Sequence, residues 1–170
     1  MKLREWLIWL IITYFFLLLE SSVLVHFTIF GAKPDLLLIS VVMIGLMQGK
    51  EEALAKGFFM GLVEDLFIGR FVGSNAIVKA LVGFFTGQVE REIVKENVVI
   101  AVAMVWILTV VNHLLYGALM IILGNANYLG LDYLRTLLTS AFYNGILTVA
   151  LFPFFYFLLI TGPFKKTKRQ

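Results

Sequence analysis

Three ionisable side chains, Glu64, Asp65 and Lys79, interrupt strongly apolar stretches of the sequence. Glu64 and Asp65 stand side by side in "GFFMGLVEDLFIG", residues 57–69. A charge at membrane depth needs a partner of opposite sign, because an unpaired one costs at least about 2.5–3.5 kcal/mol. Asp65 and Lys79 should lie at similar depth on either side of one turn. The sequence therefore predicts an Asp65–Lys79 ion pair.

Small residues recur every four positions around two of these charges. One series contains Ala53, Gly57, Gly61, Asp65 and Gly69, and the other contains Asn75, Lys79, Gly83 and Gly87. Residues four apart lie on one face of a helix, and stripes of small residues let helix backbones approach closely in lipid. The spacing therefore predicts two helices packed through their glycines. Glu64 points about 100° away from Asp65 and should meet headgroups or another polar group.

Other polar residues are expected near the same, outer surface of the membrane, namely Glu20, His113 and Arg135. Two interpretations remain open. The first is that these side chains form ion pairs and hydrogen bonds that fix the helix packing, since buried charges are often retained for specificity. The second is a polar cavity or partner-binding groove that opens to the outside, since ionisable residues within a membrane are candidates for function.

The sequence contains little that could support catalysis. It has no cysteine and only two histidines, His26 and His113, so a thiolate or His-rich metal site is excluded. The stretch "EEALAK", residues 51–56, is faintly similar to the Glu-Glu-xxx-Arg motif of CAAX-type intramembrane proteases, but Lys56 replaces the arginine. The serine-hydrolase and phosphate-binding loop motifs are also missing. We therefore expect no enzyme activity, no cofactor and no metal.

The composition indicates that the solvent is a bilayer. Of the 170 residues, 61% are hydrophobic and 15% are charged, whereas a soluble domain is about 45–50% apolar and about a quarter charged. At roughly 20 residues per span, we predict an all-α integral membrane protein, a single polytopic domain of six transmembrane helices. They are expected at residues 6–25, 34–49, 53–68, 76–89, 98–123 and 134–160. Because the second is short, a five-helix alternative stays open.

Basic residues predict the orientation of the chain. Six helices bring both termini to one side, and most lysines and arginines between the helices or in the tail "KKTKRQ", residues 165–170, fall on that side. The positive-inside rule therefore predicts cytoplasmic termini. The tail is also expected to bind anionic lipid. In a membrane protein this charge is a topology signal, so no nucleic-acid partner is expected.

One segment has a recognisable pattern. It reads "PDLLLISVVMIGLMQGKEEALAKGFFMGLVEDLFIGRFVGSNAIVKALVGFFTGQVERE", residues 34–92. A proline opens the second predicted helix, glycines four residues apart lead to Asp65, and the same spacing runs from Lys79 to Gly87. This pattern, together with the chain length and the basic C-terminus, resembles the rod shape-determining protein MreD family.

The resemblance implies a non-enzymatic scaffold of the bacterial cell-elongation machinery, located as a multi-pass protein in the cytoplasmic (inner) membrane. Such proteins associate with MreC, a bitopic protein, and through it with the MreB filament and the peptidoglycan synthases RodA and its penicillin-binding partner. A homo-oligomer is also compatible with the sequence. The family is similar in fold to the substrate-binding S-components of ECF-type transporters, so a small-molecule transporter subunit is the alternative. Against it, residues 6–22 contain no alanine, whereas those subunits dock through an alanine-rich face there.

Overall fold

The computed structural model of the protein describes residues 3–68, 71–89, 97–125 and 130–162. These residues form six α-helices, a 3-10 turn after the first helix and a π-helical turn after the last, and they contain no β-strand. The helices are α1 (Leu3–Ser22), α2 (Leu36–Gln48), α3 (Lys50–Ile68), α4 (Ser74–Thr86), α5 (Val98–Ile122) and α6 (Leu131–Tyr156). The all-helical class expected from the sequence is therefore confirmed for this part of the chain.

The start of α3 differs from its prediction. The third helix was expected to begin at residue 53, but α3 already begins at Lys50. Gly49 has a φ of 90°, which a residue with a Cβ rarely adopts, so this single residue ends α2 and redirects the chain. Glu51 and Glu52 then lie in the first turn of α3, where carboxylates interact favourably with the helix dipole.

The central helix of the bundle is α2. All thirteen of its residues are buried, and it contacts each of the other five helices. A helix that is apolar on every side packs inside a bundle rather than at its surface. At about 1.5 Å per residue α2 is roughly 20 Å long, which is less than the roughly 30 Å of a bilayer's hydrocarbon core. Its N-terminal N–H groups therefore need partners from the protein.

Three of the helices have the length and apolar character needed to cross a membrane: α1, α5, and α6 together with its π-helical extension. Two more, α2 and α4, are apolar but only 13 residues long. The short helices pack against one another and against the long ones. The described helices are therefore those of a membrane protein, and the short helix α2 is buried at the centre of the bundle.

The helices α3 and α4 form the most intimate pair. An added Cβ would collide with the backbone of the facing segment at each of four glycines, Gly57, Gly61, Gly83 and Gly87. At Gly61 it would lie 2.5 Å from the carbonyl oxygen of Asn75. The two stripes of small residues face each other, as their four-residue spacing predicts, because glycine permits this approach. Gly69 of the predicted stripe lies outside the described residues.

Candidate functional site

The N-terminus of α2 collects polar side chains from three parts of the chain. The first backbone N–H groups of a helix have no partner within the helix. Glu20 of α1 accepts the N–H of Leu36 at 2.6 Å, and the Asp35 carboxylate accepts that of Leu38 at 2.7 Å. The Asn144 side chain of α6 accepts the N–H of Asp35 at 2.8 Å. These contacts hold α1, α2 and α6 together where water is largely excluded.

Lys79 joins two more helices to this cluster. Its Nζ lies 2.9 Å from Oδ2 of Asp35 and 2.7 Å from Oε2 of Glu64, and its side chain is 1% exposed. The predicted Asp65–Lys79 ion pair is therefore wrong. The long Lys79 side chain reaches α2, and Glu64, the neighbour that points away from the glycine stripe, meets it there. Glu64 thus finds another polar group rather than lipid headgroups.

Asp65 is drawn instead to the start of α4. Its carboxylate accepts the backbone N–H groups of Gly73 at 2.9 Å, Asn75 at 3.2 Å and Ala76 at 3.1 Å. A carboxylate is stabilised there by the unpaired donors and the positive end of the helix dipole. Gly73 occupies the N-cap position of α4 and supplies no side chain. Asp65 therefore caps α4 from the preceding helix.

Two asparagines continue the polar cluster between α5 and α6. The Asn144 side chain donates to the Thr109 hydroxyl at 3.0 Å and is fully buried. Asn112, which lies within one helical turn of Thr109, is 6% exposed. Its Oδ1 is buried and has no hydrogen-bond partner among the residues that the structure describes. Asn144 thus connects two helices to the start of α2, and Asn112 keeps an unused acceptor.

A cavity of about 370 Å³ opens beside this cluster. Its lining comes from the loop before α2 and from α1, α3, α4, α5 and α6, and includes Glu20, Asp35, Glu64, Asn112 and His113. Three carboxylates therefore converge on one end of the bundle, where Lys79 is the buried counter-charge of Asp35 and Glu64 and Lys33 also lines the cavity. This arrangement can hold helices together and can attract a cation. No group of three or more histidines, aspartates or glutamates is placed to hold a metal ion in the described ranges.

The structure brings some of the predicted site residues together and leaves others apart. Glu20, Glu64, Lys79 and His113 lie at or around the cavity. Arg135 does not, because its side chain is 69% exposed and lies 3.7 Å from the carboxylate of Asp132. The basic tail, residues 165–170, lies outside the described residues.

Sequence reasoning did not single out Asp35 as a site residue. The residue is the N-cap of α2 and one of the two partners of Lys79. An aspartate immediately before an apolar run is a typical N-cap signal, so its place at the helix start could have been found. Its pairing with a lysine 44 residues later in the chain could not be read from local sequence.

A second buried lysine, Lys56, lies near the opposite end of α3. Its Nζ lies 2.6 Å from Oε1 of Gln48, 3.1 Å from Oε2 of Glu52 and 5.0 Å from the ring centre of Trp9. The Glu52–Lys56 spacing of four residues places both on one helix face. The "EEALAK" sequence therefore forms an internal ion pair and a cation–π contact that join α1, α2 and α3.

An apolar groove of about 560 Å³ lies between α5 and α6 on the surface of the helix bundle. Its lining residues are Val99, Val102, Ala103, Trp106 and Ile107 from α5 and Phe142, Gly145, Ile146 and Val149 from α6. We call this surface the α5–α6 groove. The rings of Trp106 and Phe142 meet edge to face with 6.1 Å between their centres. The lining of the groove thus combines small residues with aromatic rings.

Comparison with known proteins identifies the family. The family model described as rod shape-determining protein MreD matches residues 1–161 of the 170-residue chain. No curated protein and no solved structure matches the chain. The match covers all the described helices and confirms the resemblance seen in the sequence of residues 34–92. The chain therefore belongs to the rod shape-determining protein MreD family.

Proposed function

We propose that this protein is a non-enzymatic membrane scaffold of the bacterial cell-elongation machinery. It binds an MreC-like bitopic protein and thereby connects the MreB filament to RodA and its penicillin-binding partner. The family match over residues 1–161 carries the proposal. The described surface supports it, because apolar helix faces are exposed along several helices. In lipid such faces bind other helices through close packing of small and apolar side chains.

The proposal includes a topology. All six helices cross the cytoplasmic membrane as one polytopic domain, both termini are cytoplasmic, and the fold is similar to that of ECF transporter S-components. Three long apolar helices support the membrane location. The short α2 crosses in the centre of the bundle, where its neighbours rather than lipid surround it. The basic tail, residues 165–170, then lies at the cytoplasmic surface and contacts anionic lipid.

The α5–α6 groove is the surface that best fits the single transmembrane helix of an MreC-like partner. Its lining contains Ala103 and Gly145, small residues that allow a third helix to approach closely. The lining also contains Trp106 and Phe142, and aromatic side chains dominate the binding energy of many interfaces. The helices α5 and α6 pack extensively on each other, so the groove is formed before the partner arrives.

Two substitutions test the groove in opposite ways. Phe142→Ala removes an aromatic side chain from the lining of the groove, and Gly145→Leu adds a large side chain to it. A Cβ on Gly145 would lie 3.7 Å from Val102 and 4.0 Å from Trp106, which are ordinary contacts, so the bundle accommodates the larger side chain's first atom. Phe154→Ala is the matched control, because Phe154 lies on the same helix, is exposed and does not line the groove.

The measurement is co-purification of the MreC-like partner with each variant, quantified against the amount of this protein. Truncation of an aromatic hot-spot residue costs about 2 kcal/mol or more, which is roughly 30-fold in Kd. We expect both groove variants to lose most of the partner and Phe154→Ala to retain it. Equal recovery with all three variants would contradict this binding site. A homo-oligomer that forms without the partner and is lost in the groove variants would assign the groove to a second copy.

A further inference from the structure

The cavity beside the N-terminus of α2 has an excess of negative charge. The carboxylates of Glu20, Asp35 and Glu64 line it together with the Lys33 side chain, and the buried cation of the cluster is Lys79, so the three acidic groups exceed the two basic groups by one formal charge. One oxygen of Glu20 accepts the N–H of Leu36, and its other oxygen forms no hydrogen bond within the described structure. Charges that the protein partly shields from water interact more strongly than charges in bulk water. The cavity is therefore an attractive environment for a further cation.

A second observation comes from Asn112. This residue lines the same cavity, is 6% exposed, and its Oδ1 has no hydrogen-bond partner in the part of the chain that the structure describes. Buried polar atoms are nearly always paired, so an unpaired one indicates a missing partner. The missing partner is a hydrogen-bond donor, because an amide oxygen only accepts. The Asn112 oxygen and the carboxylates can therefore all accept hydrogen bonds from the same kind of donor group.

The volume and the lining residues of the cavity indicate which kind of donor group it can bind. A volume of about 370 Å³ falls in the range of roughly 300–1,000 Å³ that small-molecule sites occupy, and it far exceeds the space that one dehydrated ion needs. Tyr116 and Tyr133 also line the cavity, and aromatic side chains are common in the lining of small-molecule sites, where the rest of an organic ligand packs. A primary ammonium carries one positive charge and three donors, which matches carboxylate and amide acceptors together.

We propose that this cavity binds the protonated primary amine of a small molecule or of a phospholipid ethanolamine headgroup. The ammonium lies between the Glu20 carboxylate and the Asn112 oxygen, and the rest of the ligand occupies the space beside Tyr116 and Tyr133. The proposal does not depend on the scaffold function, because the site is formed by this chain alone.

The test uses the purified full-length protein in nanodiscs of phosphatidylcholine, without any partner. The probes are ethanolamine, O-phosphoethanolamine and choline, and a second set of nanodiscs contains phosphatidylethanolamine. Binding is measured by the shift of the thermal unfolding midpoint and by native mass spectrometry. Stabilisation by a free amine identifies a soluble ligand, and stabilisation only by phosphatidylethanolamine identifies the lipid headgroup. In either case the primary amine is expected to bind at least about tenfold more tightly than choline. Choline is a quaternary amine and has no N–H group to donate.

Two variants separate recognition from folding. Glu20→Gln removes the charge but keeps an oxygen that can accept the N–H of Leu36, and Asn112→Leu removes an acceptor that has no partner within the described ranges. Each is expected to weaken amine binding by about tenfold or more, measured as the probe-induced shift from that variant's own unfolding midpoint. Glu51→Gln is the control, because Glu51 is exposed in the first turn of α3, away from the cavity. If no amine stabilises the wild-type protein, or if both variants bind it as the wild type does, the proposal is overturned.

Discussion

Replacement of Lys79 by methionine tests the polar cluster most severely. The Lys79 ammonium lies 2.9 Å from the Asp35 carboxylate and 2.7 Å from that of Glu64, and its side chain is 1% exposed. Methionine has a similar length and no charge, so the substitution leaves two buried carboxylates without a counter-charge. Removing one member of a buried ion pair typically costs about 3–5 kcal/mol. We expect the lower part of that range, because the Asp35 and Glu64 side chains are 22% and 10% exposed.

The free energy of unfolding can be measured by titrating detergent-solubilised protein with sodium dodecyl sulphate and following tryptophan fluorescence. A double-mutant cycle gives the sharper result. The Lys79→Met and Glu64→Gln substitutions should be strongly coupled, so that the double variant recovers about 1–3 kcal/mol relative to the sum of the single variants. Lys79→Met and Asp65→Asn should be additive within about 0.5 kcal/mol. Strong coupling to Asp65 with none to Glu64 would refute this assignment of partners.

Three further predictions use the same unfolding measurement. Gly61→Ala should destabilise the α3–α4 pair by about 1–3 kcal/mol, because the added Cβ collides with backbone atoms. The control Gly145→Ala has room for a Cβ and should change stability by less than about 1 kcal/mol. Equal effects of the two substitutions would contradict the close approach of α3 and α4. Asp65→Ala should cost at least about 2 kcal/mol because several α4 N–H groups lose their acceptor, and Asp65→Asn should retain more of the stability; an Asp65→Ala variant as stable as the wild type would argue against the cap. Lys56→Met should cost about 1–3 kcal/mol, with partial recovery by Glu52→Gln, and failure of that recovery would show that the Glu52–Lys56 ion pair contributes little.

The features that the sequence predicted well are local ones. The apolar composition indicates a helical membrane protein because a bilayer leaves the backbone few alternatives. The spacing of Gly57, Gly61 and Gly83 predicts a close helix pair because residues four apart share a face. Both inferences need only the period of an α-helix, and the structure has both features.

The partners of the charged residues required the tertiary structure. Lys79 and Asp65 lie in the two stripes of small residues that face each other. The predicted ion pair between them rested on those stripes alone. The long lysine side chain can leave that stripe, however, and the N-terminus of α4 competes for Asp65. Asp35 is 44 residues before Lys79, and Asn144 is 109 residues after Asp35. No local pattern relates such distant positions.

The most direct test of the scaffold function is affinity purification of this protein from native bacterial membranes in mild detergent, followed by mass spectrometry. We expect an MreC-like bitopic membrane protein in near-stoichiometric amount, with RodA and its penicillin-binding partner in smaller amounts. Recovery of an ATPase pair with a transmembrane coupling subunit, and no MreC-like protein, would contradict the scaffold function and identify a transporter subunit.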